Sequence, residues 1–323
     1  MSVALKQEIV IPGMGREEAV GLAVGGASLR GILARPEGEA KPVGVVFSHG
    51  WSGNRSGPQG LLSHLARQFA AAGYASLRFD FRGRGESGGG GLDASLPSMA
   101  EDLTEAARFF RERTGVRKVV FFGLCSGGNV AIGTLPKLAA AGLILLSVYP
   151  FSDGDAFGRD VHRTFHYLGV YWRKATQGST WRRLVRGEVS VKGVCNVLFG
   201  HFINRGRNRR KEEGTPQPES ADDKPKRALG KTAKAAAVES RSQGAEAPKT
   251  HLAKLRPDLP VRMIYGTADP DAPAAKVYFG DYAKEHGLPL EIVEISGANH
   301  NFSSAEWTAK VVGLATDFLR NLA

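Results

Sequence analysis

A glycine-flanked cysteine is the residue in this sequence whose neighbours most directly suggest chemistry. Residues 123–128 read Gly-Leu-Cys-Ser-Gly-Gly and follow an apolar run at residues 118–122. Glycines two positions before and two positions after a central residue permit the sharp strand-to-helix turn that exposes a nucleophile, here Cys125 in the place that serine usually takes. The spacing therefore predicts that the Cys125 thiol attacks an acyl carbon.

Two other interpretations of this turn stay open. Ser126 could be the nucleophile, but Leu124 would then stand two residues before it, where a tight turn disfavours a side chain. Cys125 could also be a small buried residue that ends the strand, which is the common role of a free cysteine. The flanking glycines favour Cys125 as the nucleophile.

A thiol reacts well only after it loses its proton, and the sequence offers a base and an orienting acid. His300 follows the last predicted strand and Asp269 follows the strand before it, so the chain order is Cys, Asp, His. An imidazole can take the thiol proton, while a carboxylate that accepts its Nδ1–H fixes the tautomer. Asp271 is the alternative acid. Turn capping for either aspartate and surface exposure for His300 are the structural alternatives.

An oxyanion that forms on an acyl carbonyl needs amide donors that are already in place. In this type of turn the residue after the nucleophile, Ser126, supplies one N–H, and the loop after residues 43–48 supplies the other, predicted at Trp51. We interpret the neighbouring His49 as a turn-stabilising side chain. The glycine-rich residues 80–87 lack a following Gly-Lys-Ser/Thr, so they do not form a phosphate-binding loop.

Short apolar runs alternate with helical patterns, and this predicts a mostly parallel sheet flanked by helices. The opening runs, 7–11 and 28–34, are expected to form an antiparallel pair. The other predicted strands are residues 43–48, 74–81, 118–122, 142–149, 259–265 and 290–295. Helices are predicted at residues 60–72, 98–114, 129–141 and 305–322.

The alternation stops for about a hundred residues, which predicts an insertion in a catalytic domain made of residues 1–155 and 256–323. Its first part, 156–203, carries aromatic and basic residues at helical spacing and is expected to form a helical lid. Its second part, 204–250, is almost free of large apolar residues and is expected to be disordered. Residues 159–250 hold 20 Lys or Arg and 9 Asp or Glu, so they account for the whole net charge of +11.

Composition excludes several classes of protein. No apolar run reaches the roughly 18 residues of a membrane span, and the start of the chain does not read as a secretory signal, so we expect a cytoplasmic protein. Two cysteines without zinc-site spacing indicate neither a disulfide scaffold nor a metal site, and we expect no cofactor. The basic residues are interleaved with acidic ones and lack aromatic neighbours, which argues against specific nucleic-acid binding.

Taken together, these motifs resemble the α/β-hydrolase superfamily over residues 43–150 and 259–322. The resemblance rests on the His-Gly-Trp turn at 49–51, the D-x-R-G-x-G-x-S sequence at 80–87, the G-x-C-x-G-G turn and the chain order of the Asp and His. The cysteine turn is similar to that of dienelactone hydrolases. The layout with a lid resembles serine-aminopeptidase-like hydrolases, and the lid sequence is similar to that of exosortase-associated hydrolases.

The resemblance implies an α/β-hydrolase fold with an inserted helical lid. It also implies an enzyme that hydrolyses small-molecule esters, thioesters or lactones, with peptide hydrolysis less expected. The catalytic residues would be Cys125, Asp269 and His300, with the amides of Trp51 and Ser126 as the oxyanion hole. The alternative is a non-catalytic binding or scaffolding protein of the same fold whose basic insertion docks on an acidic partner.

Overall fold

The computed structural model describes residues 7–90, 95–149 and 252–322, and within these ranges nine strands form one sheet. The predicted lid and the basic segment after it lie outside the described residues. The strands are β1 (Glu8–Ile11), β2 (Gly15–Val24), β3 (Ala27–Arg35), β4 (Val43–Ser48), β5 (Ser76–Phe79), β6 (Lys118–Leu124), β7 (Ala140–Leu146), β8 (Val261–Gly266) and β9 (Leu290–Ile295). The α-helices are α1 (Leu61–Ala71), α2 (Leu96–Thr114), α3 (Ser126–Thr134), α4 (Ala272–His286) and α5 (Ala305–Arg320).

The sheet has an antiparallel edge and a larger parallel part. Its strand order is β1-β2-β3-β5-β4-β6-β7-β8-β9. Strands β1, β2, β3 and β5 pair antiparallel in that order, whereas every pair from β5 and β4 through to β9 is parallel. The prediction of a mostly parallel sheet flanked by helices is confirmed.

The predicted pairing of the two opening strands is wrong, because β2 lies between them. Strand β2 pairs with β1 on one side and with β3 on the other. The β2–β3 turn is Gly25-Gly26, both with positive φ, which is the backbone that a two-residue hairpin turn requires. Three consecutive charged residues, 16–18, hide the alternation of buried and exposed positions in β2.

Helix α4 was not among the predicted helices, although it covers part of the sheet. Its buried residues stand at helical spacing, but three of the four are alanines: Ala272, Ala275, Phe279 and Ala283. Alanine gives a weak apolar periodicity because its side chain is small, and it buries little surface. The helix is therefore defined by its packing more than by its own pattern.

Helices cover both faces of the sheet and bury two apolar clusters. Helices α2, α3 and α4 pack on one face, and α1 and α5 pack on the other. Alternate residues of a strand point to opposite faces, so Phe121 lies in the first cluster and Phe122 in the second. Both phenylalanines are fully buried, and each contributes roughly 1.5–3 kcal/mol relative to an exposed ring.

The parallel strands bring the chemically interesting loops to one edge. In parallel strands the carboxyl ends lie side by side, and this is the edge where open α/β sheets bind ligands. Strands β4, β6, β8 and β9 lead directly into the segments that hold Trp51, Cys125, Asp269 and His300. Among the described helices, none is long and apolar enough to cross a membrane.

Candidate active site at the carboxyl edge of the sheet

Cys125 occupies a sharp turn between β6 and α3. Its backbone has φ 52° and ψ −126°, a region that residues with a side chain rarely adopt. Its N–H donates to the Leu146 carbonyl at 2.9 Å, and its own carbonyl accepts the Gly128 N–H at 3.0 Å. The turn therefore holds Cys125, half-buried, in a strained backbone conformation at the amino end of α3. Strain of this kind is common at functional sites.

Gly123 and Gly127 must lack side chains because other backbone atoms lie against them, and not only because the turn needs flexible residues. A Cβ on Gly123 would lie 2.7 Å from the Gly128 nitrogen, because the backbone at the start of α3 lies against Gly123. A Cβ on Gly127 would lie 2.5 Å from the His49 carbonyl oxygen and would overlap that of Ser48. The spacing that predicted the turn thus corresponds to two backbone approaches that exclude any side chain.

Asp269 and His300 form a hydrogen-bonded pair beside this turn. The His300 Nδ1–H donates to Asp269 Oδ2 at 2.9 Å, which leaves Nε2 for another partner. The other carboxylate oxygen, Oδ1, accepts the Asp271 N–H at 3.0 Å, and the Asp269 side chain is fully buried. Burial would raise the pKa of Asp269, but the hydrogen bond and positive charge of His300 lower it, so the group stays ionised.

Cys125 and His300 change one another's proton affinity. Burial would raise the pKa of the Cys125 thiol, but the hydrogen bond and charge of His300, together with the Ser126 N–H, lower it overall. Burial would lower the pKa of His300, but Asp269 and Cys125 raise it to about 10. These opposite shifts favour a thiolate–imidazolium pair, which is the reactive form of a cysteine nucleophile.

Of the two candidate acids, the structure places Asp269 and not Asp271 in the hydrogen bond to His300. The Asp271 side chain is nearby, since the carboxylates of both aspartates and His300 bring their ligand atoms within 4.8 Å of one another. Its negative charge opposes ionisation of Cys125 and raises the thiol pKa. Among the described residues, Asp269, Asp271 and His300 also lie close enough together to bind one metal ion. The hydrogen bond between Asp269 and His300 is instead the arrangement that orients an imidazole for proton transfer.

The two predicted oxyanion donors lie beside Cys125. Ser126 begins α3, and its N–H is one of the groups that lower the thiol pKa. Trp51 follows β4, and its N–H donates to the Ser126 Oγ at 2.6 Å. Gly50 places backbone against Cys125, since a Cβ there would stand 3.5 Å from the Cys125 Cβ. The N–H groups of Trp51 and Ser126 therefore both lie at the turn that holds Cys125.

His49 has the structural role predicted for it. Its ring is buried, its Nδ1–H donates to the Gly50 carbonyl at 2.8 Å, and its Nε2 accepts the Phe81 N–H at 3.2 Å. Burial lowers its pKa, which keeps the ring neutral, as the hydrogen bond accepted at Nε2 requires. His49 thus joins the turn after β4 to the loop of residues 80–87.

Sequence reasoning missed the part that this 80–87 loop plays at the site. Asp80 is fully buried, pairs with the Arg55 guanidinium and accepts the Glu86 N–H at 3.0 Å. Arg84, held by this loop, donates from Nε to the Trp51 carbonyl at 2.7 Å, and its guanidinium lies 5.3 Å from the centre of the Trp51 ring. The loop therefore holds the carbonyl of Trp51, the residue whose N–H was predicted as an oxyanion donor. No local signal in the sequence links Arg84 to Trp51.

Comparisons with known proteins agree with this architecture. The chain is 33% identical over 128 residues to the quorum-quenching protein AidA of Acinetobacter baumannii, and 30% identical over 125 residues to an uncharacterized 31.7 kDa protein of the traX-finO intergenic region of Escherichia coli. These matches cover 38% and 37% of this chain. The chain spans only 40% and 41% of the length of these curated relatives.

Several solved structures share the fold at low sequence identity. Est1E of Butyrivibrio proteoclasticus, solved with ferulic acid, has a TM-score of 0.56 and 17% identity, with 94% of this chain and 99% of that chain covered. A dienelactone hydrolase from Anabaena variabilis has a TM-score of 0.54 and 15% identity, with 94% and 97% covered. Residues 45–312 match the model of the Alpha/beta hydrolase family. Since that match includes most of the chain, the protein belongs to the alpha/beta hydrolase family.

Proposed function

We propose that the protein hydrolyses carboxylic esters, thioesters or lactones by transfer of the acyl group to Cys125. The observation that carries the proposal is the pair of His300 and Asp269, joined at 2.9 Å, beside a cysteine whose pKa His300 lowers. Family membership is compatible with hydrolysis, but the cysteine nucleophile and the acyl substrate are our inference from this geometry. A cytoplasmic location also stays a prediction.

The first half of the reaction would form an acyl-enzyme. The Cys125 thiolate adds to the carbonyl carbon, and the electron pair of the C=O bond moves onto oxygen. The amides of Trp51 and Ser126 would stabilise that oxyanion. When the intermediate collapses, the bond to the leaving oxygen or sulfur breaks, and the imidazolium of His300 supplies its proton.

The second half would release the acid. His300, now neutral, takes a proton from a water molecule at Nε2 while the water oxygen adds to the thioester carbonyl. Collapse of the second tetrahedral intermediate breaks the carbon–sulfur bond and restores the thiolate, with the imidazolium as its partner. Asp269 keeps the ring in the orientation and tautomer that both steps need.

Mass spectrometry of the intact protein tests the proposal. We expect the full chain, mixed with p-nitrophenyl acetate and with short acyl thioesters, to gain one acyl group, which peptide mapping places on Cys125. Cys125→Ala should carry no adduct, whereas Cys125→Ser should keep the turn and show a slower or stalled acylation. Absence of both an adduct and substrate turnover on the wild-type chain, or an adduct on Ser126, would contradict the assignment.

The binding-protein alternative rests on the charge of residues 159–250. That segment carries the whole positive excess, and an acidic partner would match it. The two proposals separate in one titration. Salt-sensitive binding of polyglutamate by the full chain, together with neither an acyl adduct at Cys125 nor ester turnover, supports the alternative, and steady turnover that requires Cys125 supports the enzyme.

A further inference from the structure

Both expected oxyanion donors are already bonded within the protein. The Trp51 N–H donates to the Ser126 hydroxyl oxygen at 2.6 Å, and the Ser126 N–H donates a hydrogen bond to the Cys125 sulfur. An N–H group directs its hydrogen at one well-aligned acceptor about 2.7–3.1 Å from nitrogen. A substrate oxygen that is to use the Trp51 N–H must therefore take the place of the Ser126 hydroxyl.

The surroundings of the hydroxyl place it on the nucleophile's side of the turn. A Cβ built on Gly50 would be 3.7 Å from Ser126 Oγ and 3.5 Å from Cys125 Cβ, so both side chains border the same point of the backbone. Arg84 holds the carbonyl end of Trp51 at 2.7 Å, which fixes the residue that carries the N–H. The hydroxyl can move by rotation about one bond, whereas Trp51 is held by its neighbours.

We propose that the Ser126 hydroxyl occupies the oxyanion position of the free enzyme and rotates out of it when an acyl oxygen binds. The inference rests on the proposed function of Cys125. A hydroxyl can satisfy the Trp51 N–H while the site is empty, so the donor stays aligned. A neutral hydroxyl is also a weaker acceptor than a charged oxyanion, so the substrate oxygen displaces it most effectively as negative charge develops.

Ser126→Ala tests this inference through the binding of an aldehyde. The Cys125 thiolate adds to the carbonyl carbon of butanal, the C=O electron pair moves onto oxygen, and the imidazolium of His300 gives that oxygen its proton. The oxygen of the resulting hemithioacetal would occupy the oxyanion position. Without a competing hydroxyl, we expect Ser126→Ala to bind butanal roughly three- to tenfold more tightly than the wild-type chain, which corresponds to the loss of one neutral hydrogen bond. Ser126→Thr keeps a hydroxyl, so its affinity for butanal should rise less than that of Ser126→Ala. Equal or weaker binding by Ser126→Ala would overturn the proposal.

A second measurement keeps the inference separate from the proposed function. The backbone amide proton of Trp51 can be followed in the free, ¹⁵N-labelled protein by NMR. Its resonance should move upfield in Ser126→Ala because the short hydrogen bond to the Ser126 hydroxyl is lost. Cys125→Ala serves as the control and should bind no butanal. If the wild-type protein binds no butanal but the Trp51 resonance moves as expected, the result contradicts the proposed reactivity of Cys125. It would still support a hydrogen bond from the Trp51 N–H to the Ser126 hydroxyl in the free protein. If the resonance does not move, the further inference fails whatever the outcome for Cys125.

Discussion

The turn around Cys125 and the 80–87 loop position the site in two different ways. The turn relies on the absence of side chains, because backbone from β4 and α3 fills the space beside Gly123 and Gly127. The loop relies on charge, because the buried Asp80 carboxylate forms an ion pair with the Arg55 guanidinium and accepts the Glu86 N–H. Exclusion by glycine is visible in the sequence as a spacing. Pairing of charges between distant segments is visible only in the fold.

Gly127→Ala should have the largest effect, because the added methyl group would overlap two backbone oxygens. We expect the free energy of unfolding to fall by about 3 kcal/mol or more, with acyl transfer lost. Denaturant unfolding measures the change. Gly313→Ala in α5 is the matched control, since a Cβ there meets nothing within 4 Å, and it should raise stability by about 0.5–1 kcal/mol. Equal stability of the two variants would show that the turn tolerates a side chain.

Asp80→Asn tests the charged loop and should come next in size. It leaves the Arg55 guanidinium without its buried partner, which costs about 3 kcal/mol of unfolding free energy. Glu86→Gln removes the other carboxylate that Arg55 meets, but that side chain is 72% exposed, so the cost should stay below about 1 kcal/mol. Thermal or urea unfolding of the two variants compares them. Similar costs would mean that burial of Asp80 does not set its importance.

Arg84→Lys should reduce activity more than stability. Lysine keeps the positive charge but cannot reproduce the Nε hydrogen bond to the Trp51 carbonyl, so the oxyanion donor loses one of its supports. We expect kcat for an ester substrate to fall roughly fivefold, in line with one hydrogen bond of about 1 kcal/mol. The unfolding midpoint should change little. A fall in stability without a fall in kcat would assign Arg84 to the loop alone.

The smallest effect should come from Asp271→Asn, and its sign is informative. The Asp271 charge raises the pKa of Cys125, so its removal should lower that pKa and speed alkylation by iodoacetamide at a fixed pH below it. His300→Gln should act in the opposite direction, because the imidazole lowers the thiol pKa. Alkylation rates measured against pH report both shifts. A shift of the same sign in both variants would contradict the arrangement of charges described above.

The sequence predicted those parts of the protein whose cause is local. Buried parallel strands such as β4 and β6 appear as unbroken apolar runs, and the Cys125 turn follows from glycine spacing. The chain order of Cys125, Asp269 and His300 predicted residues that the fold brings together, while their catalytic roles stay proposals. Ser126 was predicted as a donor from the geometry of that turn and Trp51 from its place in the loop after β4, and both roles stay predictions.

The sequence could not reveal contacts between segments far apart in the chain. Strand β2 was missed because its charged residues hide its alternation, and α4 was missed because alanines form most of its buried face. The bond from Arg84 to Trp51 joins two loops, and the Trp51 N–H to Ser126 Oγ bond depends on a side-chain rotation. Neither arises from a pattern within one segment.

The position of His300 has a consequence for synthesis of the protein. Cys125 follows β6 and leaves the ribosome well before β8 and β9, which carry Asp269 and His300 into place. Because His300 lowers the thiol pKa, a growing chain that still lacks β9 holds a cysteine without its imidazole partner. The imidazole that lowers the thiol pKa therefore reaches Cys125 only after β9 has docked, so we expect the thiolate fraction of Cys125 to depend on completion of the sheet.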